Sequence, residues 1–412
     1  MSSGTARYLD ALALPHVRGT FGAALVGRAA YALVFLPLLF AVSQATGSIA
    51  LAGLAVAIYG AGASFLAPVR AWLIDTHGAR TVLAILVIAF SAGLAGLGLT
   101  ALIHGSGALL ILLAGATGAA APPLGPTMRV AWGMLAPTDE LLRKSLSLDA
   151  VVEELLYLAG PAVAGLALTV LSPGAVLLAP AALMLAGGLL FLATPAVGAM
   201  AARASIASRR DRDRPLLLRA RFVGLLLAVF VAGAIVGTVE VSVPTILAED
   251  GGAAGAGLAL GLFAGGSALG GLLYGAVTVP GSVFRQLLAL VAALAATTAL
   301  IALVTGVAAV SLVLAIAGLF FAPAMIVAYL AANAAGGDGQ KNSATTWVNT
   351  SHNLGGTAGT AIAGVLAQAA GAPAAVIAMA VGAAAAGRLQ LATPSPIRPV
   401  QGRPVACHCC TR

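Results

Sequence analysis

The sequence predicts an all-α integral membrane protein of twelve transmembrane helices, arranged as two halves of six. Three observations predict it. Of 412 residues, 60% are hydrophobic and only 8% are charged, where a soluble domain carries about a quarter charged. Continuous apolar windows of about 20 residues, the length a bilayer demands of a helix, recur along the whole chain. Apart from Arg28, the lysines and arginines fall outside those windows or at their edges, and only at alternate ends. Strands are excluded, because the apolar runs do not alternate with polar residues and an open sheet leaves unsatisfied edges in lipid.

In chain order, the first set of spans is 19–43, 47–69, 81–103, 107–127, 148–170 and 175–196. The second set is 222–247, 256–279, 286–304, 308–331, 344–370 and 374–390. Arg7 and Arg18 precede the first span and AVSQ at 41–44 resembles a cleavage site. A signal-peptide core is about 7–15 residues, however, so an uncleaved first helix is expected. Residues 1–196 form the N-terminal half and 222–390 the C-terminal half. Between them, 197–221 is a cytoplasmic linker with seven arginines and two aspartates, and 391–412 is a cytoplasmic tail. Small residues recur within spans, as in GLFAGGSALGGLLYG at 261–275, and such surfaces let helices approach closely.

Charge fixes the expected orientation. With the N-terminus inside, every Lys and Arg is cytoplasmic or at a cytoplasmic edge, except Arg28 within the first span. The outer connections 44–46, 104–106, 171–174, 248–255, 305–307 and 371–373 hold none, and their only acids are Glu249 and Asp250. The positive-inside rule therefore places both termini in the cytoplasm of a multi-pass plasma-membrane protein. Trp72, Trp132 and Trp347 read as interfacial anchors at the cytoplasmic ends. The net charge of +8 is loop charge; no basic run interleaves with aromatics, which argues against nucleic acid. Cys407, His408, Cys409 and Cys410 close the chain but lack a second ligand pair, so a reduced tail, no disulfide and no metal are expected. No cofactor is implied, and the expected state is a monomer.

After the second span comes RAWLIDTHGAR, residues 70–80. This resembles the signature between helices two and three of the major facilitator superfamily. Leu73, Asp75, Gly78 and Arg80 match, while Ala71 replaces the first glycine and Thr76 and Ala79 replace basic positions. Gly78 suits a tight turn with positive φ. Asp75 supplies a charge that Arg80, or the positive N-terminal end of a neighbouring helix, can neutralise. The resemblance implies that this neighbour is the eleventh helix, here starting near Ser343, and that the contact holds the halves together in the outward-facing state. LAGPAVAG at 158–165 resembles the glycine–proline motif of helix five in drug–proton antiporters of the same superfamily. Gly160, Pro161 and Gly165 match, with Ala164 for one glycine; proline frees a backbone carbonyl and bends a helix. The antiporters' fourth helix carries an arginine where this chain has Ala114, and Arg28 is the candidate substitute. More loosely, the chain resembles actinobacterial members with segments like PTILAEDG and TTWVNTSHNLGG.

Several polar residues lie inside spans, where they are costly and mark function. Arg28 lies about nine residues in, roughly 13 Å, where an interior partner is expected. Glu153 and Glu154 are neighbours and point about 100° apart, so they cannot share one partner equally. Either they reach cytoplasmic water, Arg143 or Lys144, or at least one faces the interior and carries a proton. Glu154, on the side of Pro161, is favoured. Glu153 shares its stripe with Asp149, Tyr157, Gly160 and Ala164. Glu240 lies near the outer end of the seventh span. In the eleventh, Thr346, Asn349, Thr350 and Asn353 make one polar stripe, with His352 as a titratable neighbour.

These readings, with the resemblance, point to a secondary active transporter. The expected activity is proton-coupled efflux of a small, moderately hydrophobic compound by alternating access. There is no Walker motif for ATP, and no cluster with catalytic spacing, so no enzyme is expected. The partners are the small-molecule substrate, protons and the lipid bilayer. Import of a sugar or organic acid is the rival transport reading, although interior aromatics and cations are few. A non-transporting membrane sensor on the same scaffold is the alternative from another class.

Overall fold

The computed structural model describes residues 8–200, 216–247, 249, 252–277, 279–336 and 340–392. The cysteine-rich tail and Asp250 lie outside them. Every regular element is helical: α1 Tyr8–Ala13, α2 Val17–Thr46, α3 Ile49–Phe65, α4 Ala67–His77, α5 Ala79–Leu102, α6 Gly107–Ala119, α7 Leu124–Leu135, α8 Asp139–Leu168 and α9 Pro173–Leu192. A short α10 is described over 195–200. Then follow α11 Ala220–Ile246, α12 Gly252–Ala276, α13 Val283–Ala299, α14 Val307–Ala335, α15 Lys341–Ala370 and α16 Ala372–Ala392.

Among the described residues, ten segments are long and apolar enough to cross a membrane. The other two expected spans are α8 and α15, each 30 residues long. They are as long as any span and fall short only in apolarity, because they carry the buried polar groups of the bundle. The protein is an all-helical membrane protein. Helix starts are set locally by hydroxyl caps: Ser48, Ser106, Thr138, Ser172 and Ser282 each accept from the backbone N–H three residues on.

Two sequence boundaries need correction. The connection expected at 70–80 is helical as far as His77, and only Gly78, at φ +91°, turns the chain into α5. The fourth span does not end at 127. It breaks at 120–123, where Pro122 and Pro123 supply no N–H, and resumes as α7 as far as Leu135. The break frees carbonyls at the end of α6, as the bend at Leu66 does at the end of α3. Arg70 satisfies both sets: it donates to Gly62 and Ala63 at 3.1 and 2.5 Å, and to Ala119 at 2.8 Å. Arg70 is therefore buried rather than at a solvated edge.

Helices α2 to α9 pack on one another, as do α11 to α16. Within each half the tightest seams are glycine-lined. A Cβ on Gly233 or Gly237 would overlap the carbonyls of His352 or Gly356, so α11 and α15 meet backbone to backbone. Gly187 on α9 meets Gly27 on α2 in the same way. The two halves touch through α4 and α7 against α15, and α8 against α12 and α14. Among the described residues, the hydrogen bonds joining the halves all lie toward the end of the bundle where α9 ends and α11 begins, here called the linker end.

Candidate functional site

The buried charges converge on one cluster between the halves. Arg28 on α2 and Arg129 on α7 flank Asp149 and Glu153, one turn apart on α8. Arg28 Nη1 donates to Asp149 Oδ1 at 2.6 Å and its Nη2 lies 3.0 Å from Glu153 Oε1. Arg129 Nε donates to Asp149 Oδ2 at 3.1 Å, and its Nη2 reaches Glu153 Oε2. Each acid thus bridges both guanidiniums, and the four formal charges sum to zero. This balance makes the arrangement tolerable in a low-dielectric interior, where an unpaired charge is not. Arg28, Arg129 and Asp149 are almost fully buried, whereas the Glu153 side chain is 25% exposed.

The cluster is built by the N-terminal half and read by the C-terminal half. Arg129 Nη1 donates to Asn349 Oδ1 on α15 at 3.3 Å, and Tyr329 on α14 donates its hydroxyl to the same oxygen. The Arg129 guanidinium also sits 4.0 Å above the Tyr329 ring. Gly125 lies beside Glu153 and both guanidiniums, and a Cβ there would meet them at ordinary van der Waals distance.

The expectation that Arg28 is the only cation well inside a span is corrected by Arg129. The apolar window runs through the proline break and ends at 127, two residues short of Arg129, which leaves that residue in a connection on hydropathy alone. It sits in MRVAWGML, with no acid nearby in sequence until Asp139, and that apolar setting was the available signal. Trp132, expected as an interfacial anchor, is fully buried against Phe21, with ring centroids 5.3 Å apart. Trp72 is exposed and Trp347 half-buried.

Glu153 pairs with the interior arginines and not with Arg143 or Lys144; Lys144 pairs with Glu140 at 3.0 Å. Glu154 points away from the cluster toward Ser267 on α12 and forms no ion pair with a described residue. One turn further along α8, Tyr157 is exposed. His352, half-buried, lies tilted against Phe321 with ring centroids 5.4 Å apart, and Phe321 lies 5.9 Å from Phe263. Asn353 is exposed beside it, while Thr346 and Thr350 are buried. The structure does not bring Glu240 into the cluster. It is exposed on the α11 face that carries Gly233 and Gly237, with no ion pair among the described residues.

At the linker end, Asp75 accepts from Ser343 N at 2.9 Å, Ser343 Oγ at 2.5 Å and Asn342 Nδ2 at 2.9 Å. Of the two partners the sequence left open, the structure therefore shows the N-terminal end of α15. Arg80 instead donates to the Leu192 carbonyl, at the end of α9, at 3.2 Å. Gly160 packs directly against Ala32 of α2. Pro161 lies within α8, and its side chain is outside the described residues.

A family model described as Major Facilitator Superfamily matches residues 20–335. No curated protein matches the chain. Among solved structures, the chain is similar to the human organic anion transporter MFSD10 (TETRAN), at 17% identity and TM-score 0.69, over 91% of this chain and 99% of that one. It is similar to the E. coli fucose:proton symporter FucP, at 17% identity and TM-score 0.67, with 91% and 99% covered. A bacterial homologue of the iron transporter ferroportin in an outward-facing state matches at 13% identity and TM-score 0.65, with 92% and 99% covered. At such identities the likeness shows the fold alone.

Proposed function

The chain belongs to the Major Facilitator Superfamily, a family of secondary transporters, and on that premise we propose that it exports a small, moderately hydrophobic compound in exchange for protons. The linker end faces the cytoplasm in this reading, so the arrangement described above is closed inward and open outward. The substrate lodges above the charge cluster, between Tyr157 and Glu154 of one half and the His352–Phe321–Phe263 wall of the other. The four clustered charges cancel, so the second interior arginine does not make this an anion site.

The observation that carries the proton is the difference between the acids of α8. Protonating Asp149 or Glu153 breaks two ion pairs in either case. Protonating Glu154 breaks none among the described residues. Glu154 is therefore the group that can change charge within a cycle without dismantling the cluster. Asp75 and the start of α15 form the inner seal, which must open for substrate to enter from the cytoplasm.

The test is purified protein in liposomes, scored for pH-gradient-driven uptake across a panel of dyes, antibiotics and sugars. With a substrate in hand, Glu154→Gln should lose proton-driven transport and keep substrate counterflow. A variant that keeps both activities removes Glu154 as the coupling group. Uptake of sugars alone would replace export of hydrophobic compounds with nutrient import.

A further inference from the structure

The short helix α1 precedes the first span and takes no part in the transport reading above. It packs on α8 and α2, with Ala11 fully buried, so it is fixed to the N-terminal half. Its first residue nonetheless reaches the other half: the Tyr8 hydroxyl donates to the Leu272 carbonyl of α12. Beside it, Ser147 of α8 donates to the Gly271 carbonyl. Gly275, one turn further along α12, is what admits both. A Cβ there would overlap the Tyr8 hydroxyl and the Ser147 side chain together. Burial raises the phenol above its ordinary pKa, so the hydroxyl stays protonated and able to donate throughout the physiological range.

We propose that Tyr8 is a latch: α1 travels with the N-terminal half and, through Tyr8, holds α12 against α8 while the linker end is closed. The latch rests on the reading that the two halves rock about the cluster. It is separate from the Asp75 seal, which joins α4 to α15 on another pair of helices. Opening the linker end requires both contacts to break. Because Tyr8 contributes one hydrogen bond, its strength sets a bias between the two states rather than an absolute lock.

The test reads that bias without substrate or gradient. Spin labels are placed at Asp139→Cys and Arg285→Cys, at the starts of α8 and α13, in protein whose three tail cysteines are replaced by serine. Distances are measured in nanodiscs for the parent, for Tyr8→Phe and for Gly275→Ala, with Asp75→Asn as comparison. Loss of one hydrogen bond should raise the ratio of long to short distances about two- to tenfold in Tyr8→Phe. Gly275→Ala should do the same with the phenol intact, by displacing it. It should add less in the Tyr8→Phe background than alone, since the hydroxyl it displaces is already gone; a merely structural disturbance would add in full. If Asp75→Asn yields the long distance and Tyr8→Phe superimposes on the parent, the latch is wrong and rocking stands. If no variant yields a second distance, rocking fails and the latch with it.

Discussion

Replacing Arg129 by glutamine tests whether the cluster is held by charge balance. Arg129 is buried and contacts both acids, so Arg129→Gln leaves Arg28 alone to face Asp149 and Glu153, a net charge of −1 in the interior. Breaking a buried pair from one side costs about 3–5 kcal/mol. The lost donation to Asn349, from a charged guanidinium, adds about 1.5–3 kcal/mol. Removing Glu153 as well restores neutrality, because Arg28 and Asp149 remain paired at 2.6 Å. R129Q/E153Q should therefore be more stable than R129Q, although it carries one more substitution. The coupling between the two changes should reach about 2 kcal/mol, in the range measured for groups in direct contact. Thermal unfolding of the parent, both single variants and the double variant, in one detergent, provides the cycle. Simple additivity would refute the balance argument and reduce the cluster to packing.

Two further outcomes are expected. Asp75→Asn keeps the shape but removes the charge that accepts three hydrogen bonds at the start of α15. A hydrogen bond to a charged group contributes about 1.5–3 kcal/mol, so transport should slow at least tenfold at equal expression; parental rates would take Asp75 out of the mechanism. Tags at the N-terminus, at 205–215 and at the C-terminus should report cytoplasm, and one at 250–254 the outside. An external signal from the central linker would invert the proposed orientation.

The helical membrane fold was legible because lipid leaves few alternatives: an apolar run must satisfy its backbone internally, and composition shows where such runs lie. The polar spans α8 and α15 were legible as well, since Glu153, Asn349 and their neighbours recur at helical spacing. Arg129 was not. Hydropathy measures side chains, and the apolar window ends at 127, whereas the backbone of α7 stays helical as far as Leu135. Asp149 was seen on the Glu153 stripe, but its partners were not, because they come from α2 and α7. Tyr329 had no local signal either; its role depends on a contact 20 residues away in sequence. The same limit applied to Asp75, for which sequence left two neutralising partners open and only the packing of α4 on α15 distinguished them.

The glycine seam between α11 and α15 bears on how sharply the inner seal can open. Helices that touch backbone to backbone have no side chains between them to flex, so the pair behaves as a stiff beam. At 1.5 Å per residue, a 30-residue helix such as α15 is about 45 Å long, and each arm about a mid-point pivot is about 22 Å. Moving the end of that arm by 1 Å takes a rotation of about 3°, and 1 Å is enough to undo a hydrogen bond. The contacts of Asp75 with Ser343 and Asn342 would then be lost together, within a few degrees of turn. A stiff arm would thus convert a small rotation about the middle of α15 into a switch-like event at the linker end. Softening the seam with larger residues would blur the threshold even if every contact at the seal were left intact.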